Sequence, residues 1–277
     1  MKTKTVLIGL FIAFCSLLCG RNAGASAVEA FKNEKGTLKI AGGTAHIPVV
    51  KEAAKRIMTY NPDVQISIAG GGSGVGIKQV GEGLIDIGNS GRKPTDQEIQ
   101  RYNLHMFKWA IDGVGIVVNP KNPVTTLTKA QTRDVFAGKI TNWEEVGGKN
   151  KPISVYTRDE ASGTRAVFWK KALGKGEITS KANFVVSNGA MKSAVAQDPY
   201  AIGYVSVGHI DQSVAPVAFE GIAPTLSNVK TGKYTIARGL YSNTKGEPAG
   251  LAKKMIDYLL SPEGQEIVSA KGFVPVR

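Results

Sequence analysis

The sequence predicts an α/β protein in two lobes, each built on a mixed, mostly parallel sheet flanked by helices. Three observations carry that expectation. Apolar-alternating stretches of strand length are followed repeatedly by stretches with helical spacing, the order expected of a parallel sheet. Several strand ends carry glycine together with a hydroxyl residue. Two long extended segments, 106–119 and 234–241, are suited to carry the chain out to a second lobe and back, which predicts a two-strand hinge under a cleft.

The chain begins with the basic Met1-Lys2-Thr3-Lys4, an almost wholly apolar run from Val6 to Leu18, and the small residues Ala23-Gly24-Ala25-Ser26-Ala27. This is the pattern of a secretory signal peptide, assigned to residues 1–25. The apolar run is too short for a comfortable membrane span, and nothing later approaches its length, so the mature chain is expected to be soluble. Both cysteines, Cys15 and Cys19, fall in this leader, which leaves the exported part without thiol or disulfide chemistry. A lipid anchor at Cys19 ranks second, because Leu17-Leu18 lacks the small residue that a lipoprotein cleavage site prefers.

The formal net charge is +13, and Lys2, Lys4 and Arg21 would leave with the leader. The remaining excess is spread singly along the chain, without a basic run or aromatic interleaving, so nucleic-acid binding is not expected. A positive exported protein suits an anionic small ligand, because its summed field raises the encounter rate.

The first strand is Thr37-Leu38-Lys39-Ile40-Ala41, running into Gly42-Gly43-Thr44-Ala45-His46 and a helix in which Pro48 suits the first turn. Val50, Ala53, Ala54, Ile57 and Met58 form its apolar face. Val64 to Ala69 is the second strand, followed by Gly70 to Gly76 with Ser73 inside it and a helix from Ile77. Ile85 to Gly88 ends in Asn89-Ser90-Gly91-Arg92, again a hydroxyl and a cation before a helix near Thr95. Met106 to Asp112 and Val114 to Asn119 are extended, and Pro120 and Pro123 place the first crossover there. Leu127 to Phe136 is helical, and Ala201 to Ser206 reads as a core strand of the second lobe. Pro248 to Leu260 and Pro262 to Ala270 are helices that would close the first lobe. The lobes are assigned to 26–115, 116–236 and the return segment 237–277.

The densest chemistry lies at Arg158-Asp159-Glu160-Ala161-Ser162-Gly163-Thr164-Arg165. Ile153 to Thr157 alternates like a strand and Ala166 to Leu173 has helical spacing, so Ser162-Gly163-Thr164 sits at a helix start. Unpaired N–H groups and the positive end of the helix dipole face that corner, and glycine lets an oxyanion approach. An ordinary Ser/Thr N-cap flanked by surface arginines fits this stretch equally well. Convergence with the other corners favours the anion site, because ligands of such sheets bind beyond the carboxyl ends of the strands.

Gly42-Gly43-Thr44, Gly70 to Gly76, Asp86-Ile87-Gly88-Asn89-Ser90, Ile140-Thr141-Asn142-Trp143, Arg158 to Thr164 and Ala201 to Val205 together resemble the phosphate-binding proteins of bacterial phosphate ABC transporters. The resemblance spans nearly the whole mature chain. It implies a two-lobed periplasmic-binding-protein fold of type II that captures inorganic phosphate in the periplasm and delivers it to membrane permease subunits, as a monomer without cofactor or metal. By position, the oxyanion donors would be Thr44 and the backbone of Ala45, Ser73, Ser90, and Arg158, Ser162, Gly163 and Thr164. Well-known members carry an acid after the serine matching Ser90, to accept the proton of monohydrogen phosphate; here Gly91-Arg92 follows. The resemblance to shorter members implies Arg92 as a second cation. Asp112 is the candidate proton acceptor, and Glu160 is expected to hold Arg158.

An enzyme is the main rival. Gly71-Gly72-Ser73-Gly74-Val75 misses the last glycine of a nucleophile elbow, and His46 has no evident acid partner. His105 and His209 lack metal-ligand spacing, and neither a Gly-x-x-x-x-Gly-Lys nor a Gly-x-Gly-x-x-Gly motif is present. An exported phosphomonoester hydrolase, an adhesion module, and a binder of sulfate or molybdate remain the alternatives.

Overall fold

The computed structural model describes residues 26–277; the expected signal peptide and the Cys19 anchor lie outside the described residues. Lobe 1 begins with β1 (Gly36–Gly42), α1 (Ile47–Tyr60), β2 (Val64–Gly71), α2 (Ser73–Gly81), β3 (Ile87–Ser90) and α3 (Asp96–Tyr102). β1 pairs in parallel with β2 on one side and β3 on the other. α1 buries Val49, Val50, Ala53, Ala54 and Ile57, the i, i+3, i+4 stripe that a helix must lay on a sheet. α3 starts with a capping box, in which Thr95 and Glu98 each satisfy the other's backbone N–H.

β4 (Leu104–Val118) is a single strand of 15 residues, where the sequence suggested two extended pieces and a turn at Pro120. Its first part, to Gly113, pairs with the return strand and Val114–Val118 pairs instead with strands of the other sheet, so β4 changes partners at Gly113-Val114, beside the lobe boundary expected after residue 115. Gly113 makes the passage possible. A Cβ there would lie 2.7 Å from Val229 and 2.8 Å from Val207.

Lobe 2 continues through β5 (Thr126–Leu127), α4 (Lys129–Phe136), β6 (Ser154–Thr157), α5 (Gly163–Lys171), β7 (Asn183–Phe184), α6 (Asn188–Gln197), β8 (Ala201–Ser206), β9 (Ala215–Phe219) and α7 (Leu226–Lys230). β6 pairs in parallel with β7 and β8, and β8 runs antiparallel to β4. The chain returns on β10 (Ala237–Lys245), antiparallel to both β3 and β4, and ends in α8 (Gly250–Leu260), α9 (Pro262–Ala270) and β11 (Val274–Pro275). Since β4 belongs to both sheets, the strands form one continuous order, β2-β1-β3-β10-β4-β8-β6-β7.

Two main cores flank this ladder. One gathers Phe31, Leu38, Val49, Ile57, Trp109, Leu240, Met255 and Phe273; the other gathers Val114, Ile116, Phe136, Trp143, Phe168, Tyr204 and Tyr234. β4 feeds both, giving Trp109 and Ala110 to the first and Val114, Ile116 and Val118 to the second. In lobe 2 the Phe168 ring from α5 stacks on Tyr204 from β8 at 4.2 Å between centroids, with Phe136 against Phe168 at 4.8 Å. That aromatic stack fixes α5, and therefore its N-terminus, against the sheet.

Candidate functional site

Three helical N-termini meet between the lobes. β1 ends at Gly42 with φ of 122°, and a Cβ there would lie within 3 Å of the Asn89 carbonyl and of Gly76. Only glycine allows that approach, and it delivers Thr44-Ala45-His46 as a single 3-10 turn leading into α1. β2 ends at Gly71 and Gly72, both at positive φ, and Ser73 opens α2. β6 ends at Thr157, and Ser162 caps α5 by accepting from the Arg165 N–H at 3.2 Å.

These corners line a small cavity, too small for a nucleotide. Its wall is formed by Gly43, Thr44, Ala45 and His46 from the first corner, Gly72 and Ser73 from the second, and Arg158, Ser162, Gly163 and Thr164 from the third, with Gly91 and Arg238 completing it. The lobes touch directly around it. The Gly74 N–H donates to the Ala161 carbonyl at 2.9 Å, and Thr44 Oγ1 accepts from Asn188 of α6 twice, from N–H at 3.2 Å and from Nδ2 at 3.0 Å.

Arg158 is 1% exposed. Its Nη2 donates to the Val186 carbonyl at 3.0 Å, its backbone N–H donates to the Tyr204 hydroxyl at 3.1 Å, and its Nε has no partner. Burial lowers its pKa. A buried guanidinium with an unpaired N–H costs free energy, and an oxyanion in the cavity would offset both the missing bond and the uncompensated charge. Glu160, expected to hold Arg158, is exposed, and the Val186 carbonyl has that place instead.

Seven of the expected site residues, Thr44, Ala45, Ser73, Arg158, Ser162, Gly163 and Thr164, therefore share one cavity wall. Three do not. Arg92 turns outward and makes a bidentate pair with Glu98, 2.7 Å on each arm. The same glutamate caps α3, so the local capping box claims the arginine. Ser90 is fully buried behind the wall, where its hydroxyl accepts from Asn243 Nδ2 at 2.9 Å, and Gly91 stands at the wall in its stead. Asp112 also lies behind it. Its Oδ2 accepts from Arg238 Nε at 2.9 Å and its Oδ1 from the Ser206 hydroxyl at 2.9 Å. Burial pushes the Asp112 carboxyl up, and the adjoining Arg238 pulls against that shift.

The second cation of the cavity is Arg238, which the sequence reading missed. It stands on β10 directly opposite Asp112 on β4, and its Nη1 donates to the Gly91 carbonyl at 3.3 Å. Nη2 lies 2.8 Å from Asp112 Oδ2 yet is not aligned for a hydrogen bond, and so remains an unsatisfied donor. A faint signal existed: one acid and one base each interrupt the otherwise apolar and small stretches Ala110-Ile111-Asp112-Gly113-Val114 and Ile236-Ala237-Arg238-Gly239-Leu240.

His46 lies in the wall, edge-on to Trp109 at 5.4 Å between ring centroids. Its Nδ1 is 3.0 Å from the Gly43 carbonyl and its Nε2 is 3.1 Å from the Ser90 carbonyl. Burial, with the nearby Arg238 charge, pulls its pKa down to about 3, so the ring is neutral at physiological pH. Among the described residues no group of His, Cys, Asp and Glu has the arrangement of a metal site, and no helix is long and apolar enough to cross a membrane.

The profile of the PBP superfamily domain matches residues 27–263. The phosphate-binding protein PstS of Bacillus subtilis is 38% identical over 99% of this chain and 95% of its own length. Among solved structures, a phosphate ABC transporter substrate-binding protein from Clostridium perfringens with bound phosphate aligns with a TM-score of 0.83 at 35% identity, covering 87% of this chain and all of that one. An ABC-type phosphate transport receptor from Vibrio cholerae aligns with a TM-score of 0.70 at 32% identity, over 86% of this chain and 99% of its own. With its glycine-hinged corners, its paired lobes and these likenesses along nearly its whole length, the chain belongs to the PBP superfamily, in the family of the PstS phosphate-binding proteins.

Proposed function

We propose that the protein binds inorganic phosphate between its lobes, outside the cytoplasmic membrane, and hands it to the permease subunits of an ABC transporter. The observation that carries this reading is a small interlobe cavity walled by hydroxyls, helix-start N–H groups and two buried arginines. A desolvated tetrahedral anion needs a donor for every oxygen, and this wall supplies fixed donors without any change of protonation. The phosphate seen bound in the Clostridium perfringens relative supports the same ligand.

The lobes are taken as 26–115 with 237–277, and 116–236. Capture would close them, because only the closed arrangement gives one anion the corners of both. The ligand set proposed is Thr44, Ala45, Ser73, Arg158, Ser162, Gly163, Thr164 and Arg238. Export by a leader in residues 1–25 and action as a monomer without cofactor or nucleic acid complete the proposal. Hydrolysis of a phosphomonoester is not part of it, since both ring nitrogens of His46 face backbone carbonyls and leave no base beside Ser73 or Ser162.

Calorimetric titration of the mature protein with phosphate tests the reading, with p-nitrophenyl phosphate turnover measured alongside. Saturable one-site binding without turnover is expected. Absence of binding, or release of nitrophenol, would sink it.

A further inference from the structure

Thr44 borders the cavity, and its hydroxyl is already engaged from behind. Asn188, the first residue of α6, donates to Thr44 Oγ1 twice, from its backbone N–H at 3.2 Å and from its side-chain Nδ2 at 3.0 Å. Its backbone N–H is available because the first turn of a helix leaves such groups without a partner, and the capping hydroxyl of Ser187 serves Ala190 instead. Asn188 is fully buried, yet it is not among the residues of the cavity wall.

A third contact fixes the orientation of the Asn188 amide. Its Oδ1 accepts from the Ser206 N–H at 3.0 Å, so the NH2 end must face Thr44; turned over, the amide would set one donor against another. Ser206 is held in its turn, for its hydroxyl donates to Asp112 Oδ1 at 2.9 Å, and Asp112 accepts from Arg238. A buried chain of hydrogen bonds therefore runs behind the cavity from Thr44 to Arg238, two members of the same wall.

A hydroxyl has two lone pairs and one proton. Asn188 takes both lone pairs of Thr44 Oγ1, and among the described residues none accepts the proton. All that this hydroxyl has left to offer is its O–H. A threonine without such a partner could as easily turn a lone pair to the cavity, which would repel an anion.

We infer that Asn188 is a positioning residue for anion binding, which commits the Thr44 hydroxyl to donation into the cavity. The inference rests on the cavity being the oxyanion site proposed above. An asparagine that only tied α6 to β8 would support the fold and leave Thr44 to orient itself, and a double-mutant cycle separates the two roles.

The test measures phosphate affinity by calorimetry for the mature wild-type protein, Asn188→Ala, Thr44→Ala and the double variant, with urea unfolding of each alongside. Each single variant is expected to lose about fivefold, the worth of one hydrogen bond. The double variant is expected to lose about tenfold or less, because Asn188 has nothing to position once the hydroxyl is gone. A double variant that loses more than that, as two independent fivefold losses would multiply to give, overturns the inference. So does an Asn188→Ala protein that binds within about twofold of wild type. Both results leave the phosphate reading intact, whereas a wild-type protein that binds no phosphate sinks both. Should Asn188→Ala not fold, Asn188→Asp keeps the acceptor for the Ser206 N–H and removes the amide donor, and the same cycle is read with it. A loss that shrinks in the Thr44→Ala background supports the inference, and an undiminished loss overturns it.

Discussion

The two lobes contribute differently to the cavity. Lobe 1 supplies neutral donors, Thr44, Ser73 and the backbone around Ala45, from corners held together by glycines. Lobe 2 supplies Arg158 and the capped start of α5, and the return strand adds Arg238. Fixed positive charge thus comes from Arg158 of lobe 2 and from Arg238 on the return strand of lobe 1, while the corners of lobe 1 at Thr44 and Ser73 are uncharged. In the proposed site the arginines would attract the anion over distance, and the neutral corners would add short-range hydrogen bonds.

The largest way to break this asymmetry is through the core that supports the charged wall. Phe168→Ala, which removes a fully buried ring stacked on Tyr204, should cost about 3–5 kcal/mol of stability in denaturant unfolding. Binding should be lost with the fold of lobe 2. Arg158→Ala attacks the wall directly. It removes a buried charge and the donors that Arg158 would offer the proposed anion, so a loss of about 3 kcal/mol, more than a hundredfold in phosphate Kd, is expected by calorimetry.

Acid should sharpen the comparison. His46 beside the neutral wall is held to about 3, and His209 in lobe 2 to about 4, both mainly by burial. The unfolded chain takes up these protons near 6.5 while the folded chain does not. The stability linked to each ring is therefore complete above about pH 6.5 and is lost as pH falls, at about 1.4 kcal/mol per unit until the folded pKa is reached. Urea titrations at pH 7, 6 and 5 should show the decline, and His46→Gln should remove its share.

Thr44→Ala takes one neutral donor from lobe 1 and unpairs Asn188, so a loss of about 1 kcal/mol in binding, roughly fivefold, is expected. At the small end, Arg92→Ala should change phosphate affinity hardly at all and cost about 1 kcal/mol of stability, the upper scale of a partly exposed ion pair. A hundredfold loss of affinity in that variant would restore Arg92 to the site and remove the reason for assigning Arg238.

Much of the site was legible because its parts are local. A glycine-bearing strand end, a hydroxyl and a helix start lie within a few residues of one another, so Gly42 to Thr44, Gly70 to Ser73 and Arg158 to Thr164 can each be read as one unit. The alternation of strands and helices gave the lobes in the same way. What failed was the direction of long side chains and the pairing of distant strands. Arg92 follows Ser90 closely enough to look like a ligand, yet the capping glutamate six residues on takes its guanidinium. Arg238 meets Asp112 only because β10 and β4 are registered across a separation of 126 residues, which no local pattern encodes. Continuity of β4 through Gly113 was hidden for a related reason: glycine reads as a break where the fold needs it for close packing.

The Asp112–Arg238 pair joins the very strands that run between the lobes, at the place where β4 changes partner. Any swing of one lobe against the other would turn about this rivet without prying it apart. In the proposed site the guanidinium on it would then stand at the same spot whether the cleft is wide or narrow.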